Sequence, residues 1–264
     1  VLVVPIKRLS EAKSRLRGAV PGVPHERLAL ALAQDTVAAA VQCADVFVIT
    51  SDPLAGPALA QLGARVAPDR PDAGLNAALA YGAEVAARPG RRVGALTADL
   101  PSLRAGDLAG ALDAAGRRRG FVPDAAGTGT TLLVAGPGER LDPGFGPGSA
   151  RAHERAGARA LPGAATLRRD VDTAADLAAA VALGLGRHTA ALLPPGYGAG
   201  MQGTVATYDA ETRSGTLLLD DGSEIAFPAA AFEASGLRLL RQGQRVRIET
   251  EASGQVTRVT LPTF

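Results

Sequence analysis

Through the first 190 residues, short apolar runs alternate with longer stretches in which apolar positions recur every three or four residues. The runs at 1–6, 46–50, 65–67, 93–97, 120–123 and 131–135 are too short for stable helices and predict strands. The stretches at 26–41, 54–62, 75–87, 105–117, 149–156 and 174–183 predict helices. Such alternation implies an α/β domain, a mostly parallel sheet with helices on both faces.

That pattern stops at 192–200, a Pro/Gly-rich stretch where few contacts are expected to cross. From Met201 onward the period drops to two. Runs at 203–208, 215–219, 224–227, 244–249 and 255–260 predict five strands separated by turns such as Asp220-Asp221-Gly222-Ser223. Five short strands in so little chain suggest a small all-β barrel of the OB type. The expected layout is an α/β domain over 1–190, a linker over 191–200 and a barrel over 201–264.

Composition narrows this picture only a little. The 264 residues are 47% hydrophobic and 20% charged, which argues against a disordered chain. A net charge of +2 demands neither a nucleic acid nor a membrane partner. The single cysteine, Cys43, excludes an internal disulfide and a thiolate metal site, and is expected to be a buried, inert thiol in a cytoplasmic protein. No apolar run reaches the length of a membrane span. Because the chain opens within a predicted strand and without Met, a short leader is expected ahead of it.

Two acidic tips carry the candidate chemistry. The strand at 93–97 runs into Asp99-Leu100-Pro101, and a second tip reads Asp170-Val171-Asp172-Thr173. Ligands of open α/β sheets bind beyond the carboxyl ends of the strands, and magnesium needs only one or two carboxylates, the rest of its shell being water and phosphate. Each acid alone is better explained as a helix N-cap, Asp99 for the helix after Pro101 and Asp170 or Asp172 for the one from Ala174. Both tips together point to a metal. The loop after the first strand carries Lys7, Arg8, Lys13 and Arg15, where phosphates are held in nucleotide-binding sheets. It has no Gly-rich cradle, which argues against a P-loop ATPase. His25, His153 and His188 lack ligand spacing and are expected at the surface or at helix ends.

Five motifs in one order then support a resemblance: Pro5-Ile6-Lys7-Arg8-Leu9 with Lys13-Ser14-Arg15-Leu16, Ala98-Asp99-Leu100-Pro101, Gly127-Thr128-Gly129-Thr130, Phe145-Gly146-Pro147-Gly148-Ser149 and Asp170-Val171-Asp172-Thr173. Over nearly all of residues 1–190 the chain resembles the guanylyltransferases that activate phosphoenolpyruvate or 2-phospholactate for deazaflavin coenzyme F-420. The resemblance implies a Rossmann-like nucleotidyltransferase domain in which an acceptor phosphate attacks the α-phosphorus of GTP and pyrophosphate leaves. It further implies that Asp99 and Asp170 hold magnesium, with Asp172 as a neighbour that ligates or orients. Lys13, with Lys7 and Arg15, would neutralise the triphosphate, making Lys13 and Asp99 the catalytic pair. Asn76 stands where relatives approach the nucleobase or ribose, or is simply an early-turn helix residue with no ligand. Thr130, Gly146 and Ser149 would bind the acceptor, Ser149 serving also as an N-cap where a helix start attracts anions. A member of that family carries an acid where this chain has Gly148, and lacks one residue of the stretch between Thr130 and Gly146.

The segment from Met201 resembles a cold-shock domain, whose barrel stacks bases on aromatic side chains. Tyr208 and Phe227 are kept, but Arg213-Ser214-Gly215-Thr216-Leu217-Leu218-Leu219 replaces the family's aromatic-rich strand. At about 1–3 kcal/mol per stacked base, that loss removes most of the affinity. The barrel is expected to serve packing, oligomer contacts such as a homodimer, or weak RNA binding. Two other readings stay open: a nucleotidyltransferase of the same fold with another phosphorylated acceptor, and an RNA-binding protein with a nucleotide-sensing domain.

Overall fold

The computed structural model describes residues 1–70, 72–88, 90–194, 197, 201–219, 222–251 and 255–261. Most of the Pro/Gly linker and the Asp220-Asp221 half of the predicted turn lie outside the described residues. The chain divides into two compact units, Val1–Leu193 and Pro194–Phe264.

In the first unit the order is β1 (Leu2–Pro5), α1 (His25–Ala40), β2 (Val46–Ile49), α2 (Ala55–Ala60), β3 (Arg65–Ala67), α3 (Leu75–Ala86), β4 (Gly94–Leu96) and α4 (Ala105–Ala115). There follow β5 (Gly120–Pro123), β6 (Thr130–Val134), α5 (Ser149–Arg155), β7 (Arg159–Ala160), α6 (Ala165–Arg168), α7 (Ala174–Leu183) and α8 (Arg187–Ala190). The seven strands form one sheet in the order β3-β2-β1-β4-β6-β5-β7. All run in the same direction except β6, which is antiparallel to both β4 and β5. The carboxyl ends of β1 and β4 therefore share an edge with the start of β6.

Burial on both faces explains why the strand sequences are nearly continuous apolar runs. Leu2 and Val4 of β1 face a cluster built with Ala33 and Val37 of α1 and Leu108 of α4. Val3 points the other way, onto Ala78, Leu79 and Ala83 of α3. Gly82 lets α3 lie this close, since a Cβ there would come within 2.5 Å of Val3 Cγ1. Cys43 is only half-buried just past α1, where burial raises its thiol pKa. Among the described residues no helix is long and apolar enough to cross a membrane.

The second unit contains β8 (Met201–Asp209), β9 (Ser214–Leu219), β10 (Glu224–Phe227), α9 (Ala229–Glu233), β11 (Arg245–Thr250) and β12 (Val256–Thr260). Its sheet order is β10-β9-β8-β11-β12, every pairing antiparallel. The core gathers Val205, Leu217, Phe227, Phe232, Val246, Ile248 and Val259. Phe227 is only 1% exposed, and Tyr208 packs against it and against Phe232. This corrects the expectation that Phe227 survives as a base-stacking position: its ring is core, with no face free for a base.

Candidate active site

A cavity of about 470 Å³ opens at the edge where β1 and β4 end, lined by Lys7, Lys13, Arg15, Thr97, Asp99 and Asp172 among others. Lys13 sits just before a short 3-10 turn, Ser14–Leu16, and holds the left-handed conformation at φ 54°. That conformation is unfavourable by about 1–2 kcal/mol for a residue with a Cβ. It is held by the Leu16 N–H, which donates to the Lys13 carbonyl at 2.8 Å, and by the side chain's partners. The Lys13 ammonium donates to Asp99 Oδ2 and, at 2.5 Å, to Asp172 Oδ1. Burial acts to lower the pKa of Lys13, but the carboxylates of Asp99 and Asp172 outweigh it and hold the ammonium charged well above its ordinary range. Among the described residues, Lys7 and Arg15 on the cavity wall make no ion pair.

The backbone joins the two acidic tips directly: the Val171 N–H donates to the Asp99 carbonyl at 3.0 Å. Arg168 fixes the second tip from below, its guanidinium donating to the carbonyls of Pro123 and Asp124 at the end of β5. Neither tip caps a helix. Thr173 is the N-cap of α7, in a reciprocal box with Asp176, and α4 starts after Arg104. The capping explanation of Asp99, Asp170 and Asp172 is thereby removed.

Burial first, then the neighbouring charge of Asp99, pushes the Asp170 carboxyl up to about 7. Two carboxylates bond the one ammonium while the third carboxyl, Asp170, feels the charge of Asp99 beside it, and Asp99 Oδ1 is buried without a hydrogen-bond partner. Among the described residues no group of three or more metal-ligating side chains is already gathered in metal-binding geometry. The donors that converge are all hard oxygens, short of positive charge, and two carboxylates suffice for magnesium. This residue set therefore fits that cation, with Lys13 now between two of the acids.

The Asp99 turn is anchored from α1. Thr36 Oγ1 donates to the Leu32 carbonyl and accepts the Leu100 N–H at 2.9 Å, with Leu100 fully buried. Thr36→Val keeps the shape but leaves that N–H without a partner, an expected loss of about 1–3 kcal/mol in urea unfolding. A loss below about 0.5 kcal/mol, the usual scatter of surface substitutions, would show that the anchor is dispensable.

On the far side of β4 lie the residues expected to meet the acceptor. Leu96 pairs with Leu132, so Thr130 extends past the end of β4 beside the Asp99 turn. Ser149 is the first residue of α5 and 2% exposed; Gly148, at φ 73°, occupies the N-cap position instead. This corrects the capping role expected of Ser149. Gly146 (φ 135°) and Gly148 supply backbone that a side-chain-bearing residue would strain to adopt. Asn76, expected at the nucleotide or with no ligand, clamps this loop: its Oδ1 accepts the Phe145 N–H at 2.8 Å and its Nδ2 donates to the Phe145 carbonyl at 2.9 Å.

His153 was missed as a site residue. Expected at the surface or a helix end, it lies in the last turn of α5 but is 1% exposed, packed between Phe121 and Phe145. Its ring touches Thr130 and Gly144. The usable signal was its position four residues after Ser149, on the same face of one helix. Burial, assisted by the Arg119 charge, lowers its pKa to about 4. The unfolded ring takes its proton near 6.5 and the folded ring does not, so stability is full above pH 6.5 and declines as pH falls toward 4. Relative to a His153→Gln variant, wild type should lose roughly 2 kcal/mol more between pH 7 and 5 in urea melts. Coincident pH dependences would refute this.

The first unit is similar in sequence to known proteins. The family described as guanylyl transferase CofC like matches residues 1–194. A phosphoenolpyruvate guanylyltransferase from Salinispora arenicola is 56% identical over 198 residues, covering 72% of this chain and 92% of its own. The chain belongs to the CofC-like guanylyl transferase family. A second relative of the same name, from Thermomonospora curvata, is 55% identical over 199 residues, 72% of this chain and 87% of its own. Among solved structures, a nucleotidyl transferase from Methanothermobacter thermautotroptrophicus has a TM-score of 0.46 at 18% identity, covering 69% of this chain and 96% of that one, and adds nothing to the assignment. The CofC-like match spans the residues of both acidic tips, Lys13, Thr130 and Ser149, and ends at the boundary of the β-rich unit.

Proposed function

We propose that this CofC-like protein transfers GMP from GTP to phosphoenolpyruvate with release of pyrophosphate, a step in making coenzyme F-420. The observation that carries the reading is the Lys13 ammonium held between Asp99 and Asp172 at the cavity where β1 and β4 end. Its support is the 56% identity of this unit to a protein named phosphoenolpyruvate guanylyltransferase.

Asp99 and Asp170 would hold magnesium, with Asp172 ligating or orienting from the rim. When bound, that ion supplies charge stabilisation to phosphate oxygens and a template for their alignment. Lys13, with Lys7 and Arg15 beside it, neutralises the triphosphate as negative charge moves to the departing pyrophosphate. Thr130, Gly146 and Ser149 receive the acceptor, whose phosphate oxygen attacks the α-phosphorus. Orientation and charge complementarity thus supply most of the rate. The β-rich unit is read as an OB-type barrel of cold-shock kind whose stacking surface is gone. In support, α9 lies between its third and fourth strands, and Phe227 is buried.

The test is incubation with GTP, magnesium and phosphoenolpyruvate, following pyrophosphate and the guanylylated product by mass. Release with phosphoenolpyruvate and not with 2-phospholactate or 3-phosphoglycerate is the expected result. No release with any small phosphorylated acid overturns the proposal.

A further inference from the structure

We infer that His153 is a positioning residue that makes the Thr130 hydroxyl an obligate hydrogen-bond donor toward the anionic acceptor. This deepens, and rests on, the reading of Thr130 as an acceptor-binding residue.

The hydrogen bonds fix the roles one after another. The Gly144 backbone N–H, which can only donate, meets His153 Nε2 at 3.0 Å, so that nitrogen presents its lone pair. A neutral imidazole then carries its single proton on Nδ1. Nδ1 lies 3.0 Å from Thr130 Oγ1, and the ring therefore donates to the hydroxyl oxygen. A hydroxyl has one proton and two acceptor lone pairs. With Nδ1–H occupying an acceptor position, the proton of Thr130 cannot be turned to His153, and among the described residues Oγ1 makes no other hydrogen bond. The hydroxyl is left as a donor whose partner has to be an anion or water at the sheet edge beside Asp99. The low proton affinity of the buried ring preserves this arrangement through neutral pH.

The fold goes out of its way to make this contact. Along β6, Leu132 and Val134 face the α1 and α4 side, while Leu133 faces the α3 and α5 side. Strict alternation would send Thr130 with Leu132, away from His153. The ladder with β5 shifts register between Val122 and Pro123, so that Val122 pairs with Leu132 but Pro123 with Thr130. The extra residue, Thr131, brings the Thr130 side chain to the α5 face, as bulges near functional sites do. The same ring orders the opposite wall of the site: its bond to Gly144, next to the Asn76 clamp on Phe145, fixes the segment leading to Gly146.

A double-mutant cycle on the full chain separates positioning from mere packing. Thr130→Val and His153→Phe should each raise the KM for phosphoenolpyruvate roughly tenfold or more, the scale of one hydrogen bond to a charged group. The KM for GTP should stay within about twofold, and the double variant should be no worse than the poorer single variant, because both remove the same bond. Should His153→Phe misfold, nitrogen-15 shifts of the wild-type ring supply the second measurement, with Nδ1 expected as the protonated atom at neutral pH. A proton on Nε2, fully additive effects, or an effective Thr130→Val beside an inert His153→Phe each overturn this inference alone. An unchanged KM in Thr130→Val overturns the acceptor reading of Thr130 as well.

Discussion

Replacing Asp99 with Asn is expected to lower turnover by about 10³-fold or more while the protein stays folded, on the scale of removing a preorganised electrostatic group from a transition state. The turn carrying Asp99 is built by its backbone and not by its charge. Its carbonyl accepts the Val171 N–H, and the next residue is anchored on Thr36. Asn has the same shape, so these bonds survive. What disappears is a carboxylate that serves Lys13 through Oδ2 and presents a buried Oδ1 with no protein partner. Stability should change little, because the substitution also relieves repulsion of Asp99 on the neighbouring Asp170 carboxyl. In metal-free protein the Asp170 midpoint should move down from about 7, since the Asp99 charge is the largest neighbouring contribution that raises it. Pyrophosphate release, thermal melting and NMR titration of the Asp170 carboxyl measure the three effects. An Asp99→Asn variant within tenfold of wild-type turnover would remove Asp99 from the chemistry.

Replacing Lys13 with Met should reduce kcat by about 10²–10³-fold and also weaken the metal-free fold. The two effects have different origins. On the proposed reaction the Lys13 ammonium, beside Asp99 and Asp172, would neutralise charge flowing to the leaving group, and without it that charge would be less well balanced. In the resting protein, Lys13 and Asp99 are each less than one-fifth exposed and bonded to one another. Removing one partner leaves the other incompletely compensated, at a cost of about 1–3 kcal/mol in urea unfolding. On the proposal that the folded carboxylates hold magnesium, saturating magnesium should restore part of that stability, but not the turnover. Unchanged kcat would exclude Lys13 from catalysis. Lost stability with no recovery in magnesium would point to packing of the Lys13 stem as the cause.

The sequence by itself determined the larger organisation. Near-continuous apolar strands alternating with amphipathic helices specify a two-faced α/β sheet because periodicity records which residues must leave water. The drop to period two after Met201 marks a different class of unit for the same reason. The acid that follows β4 and the cations that follow β1 locate the candidate site, since strand ends in such sheets share an edge. A local pattern does not record pairing across the chain. The reversed direction of β6 and its extra residue at Thr131 decide that Thr130 stands beside Asp99 and against His153. Those depend on register with β4, tens of positions back, and with β5 across the intervening loop. In the same way only the fold shows that Thr173 relieves Asp170 and Asp172 of capping, that Asn76 is taken by Phe145, and that Phe227 is core. Each is a choice between equally suitable hydrogen-bond or packing partners, and what decides it is which partner the assembled chain brings within reach.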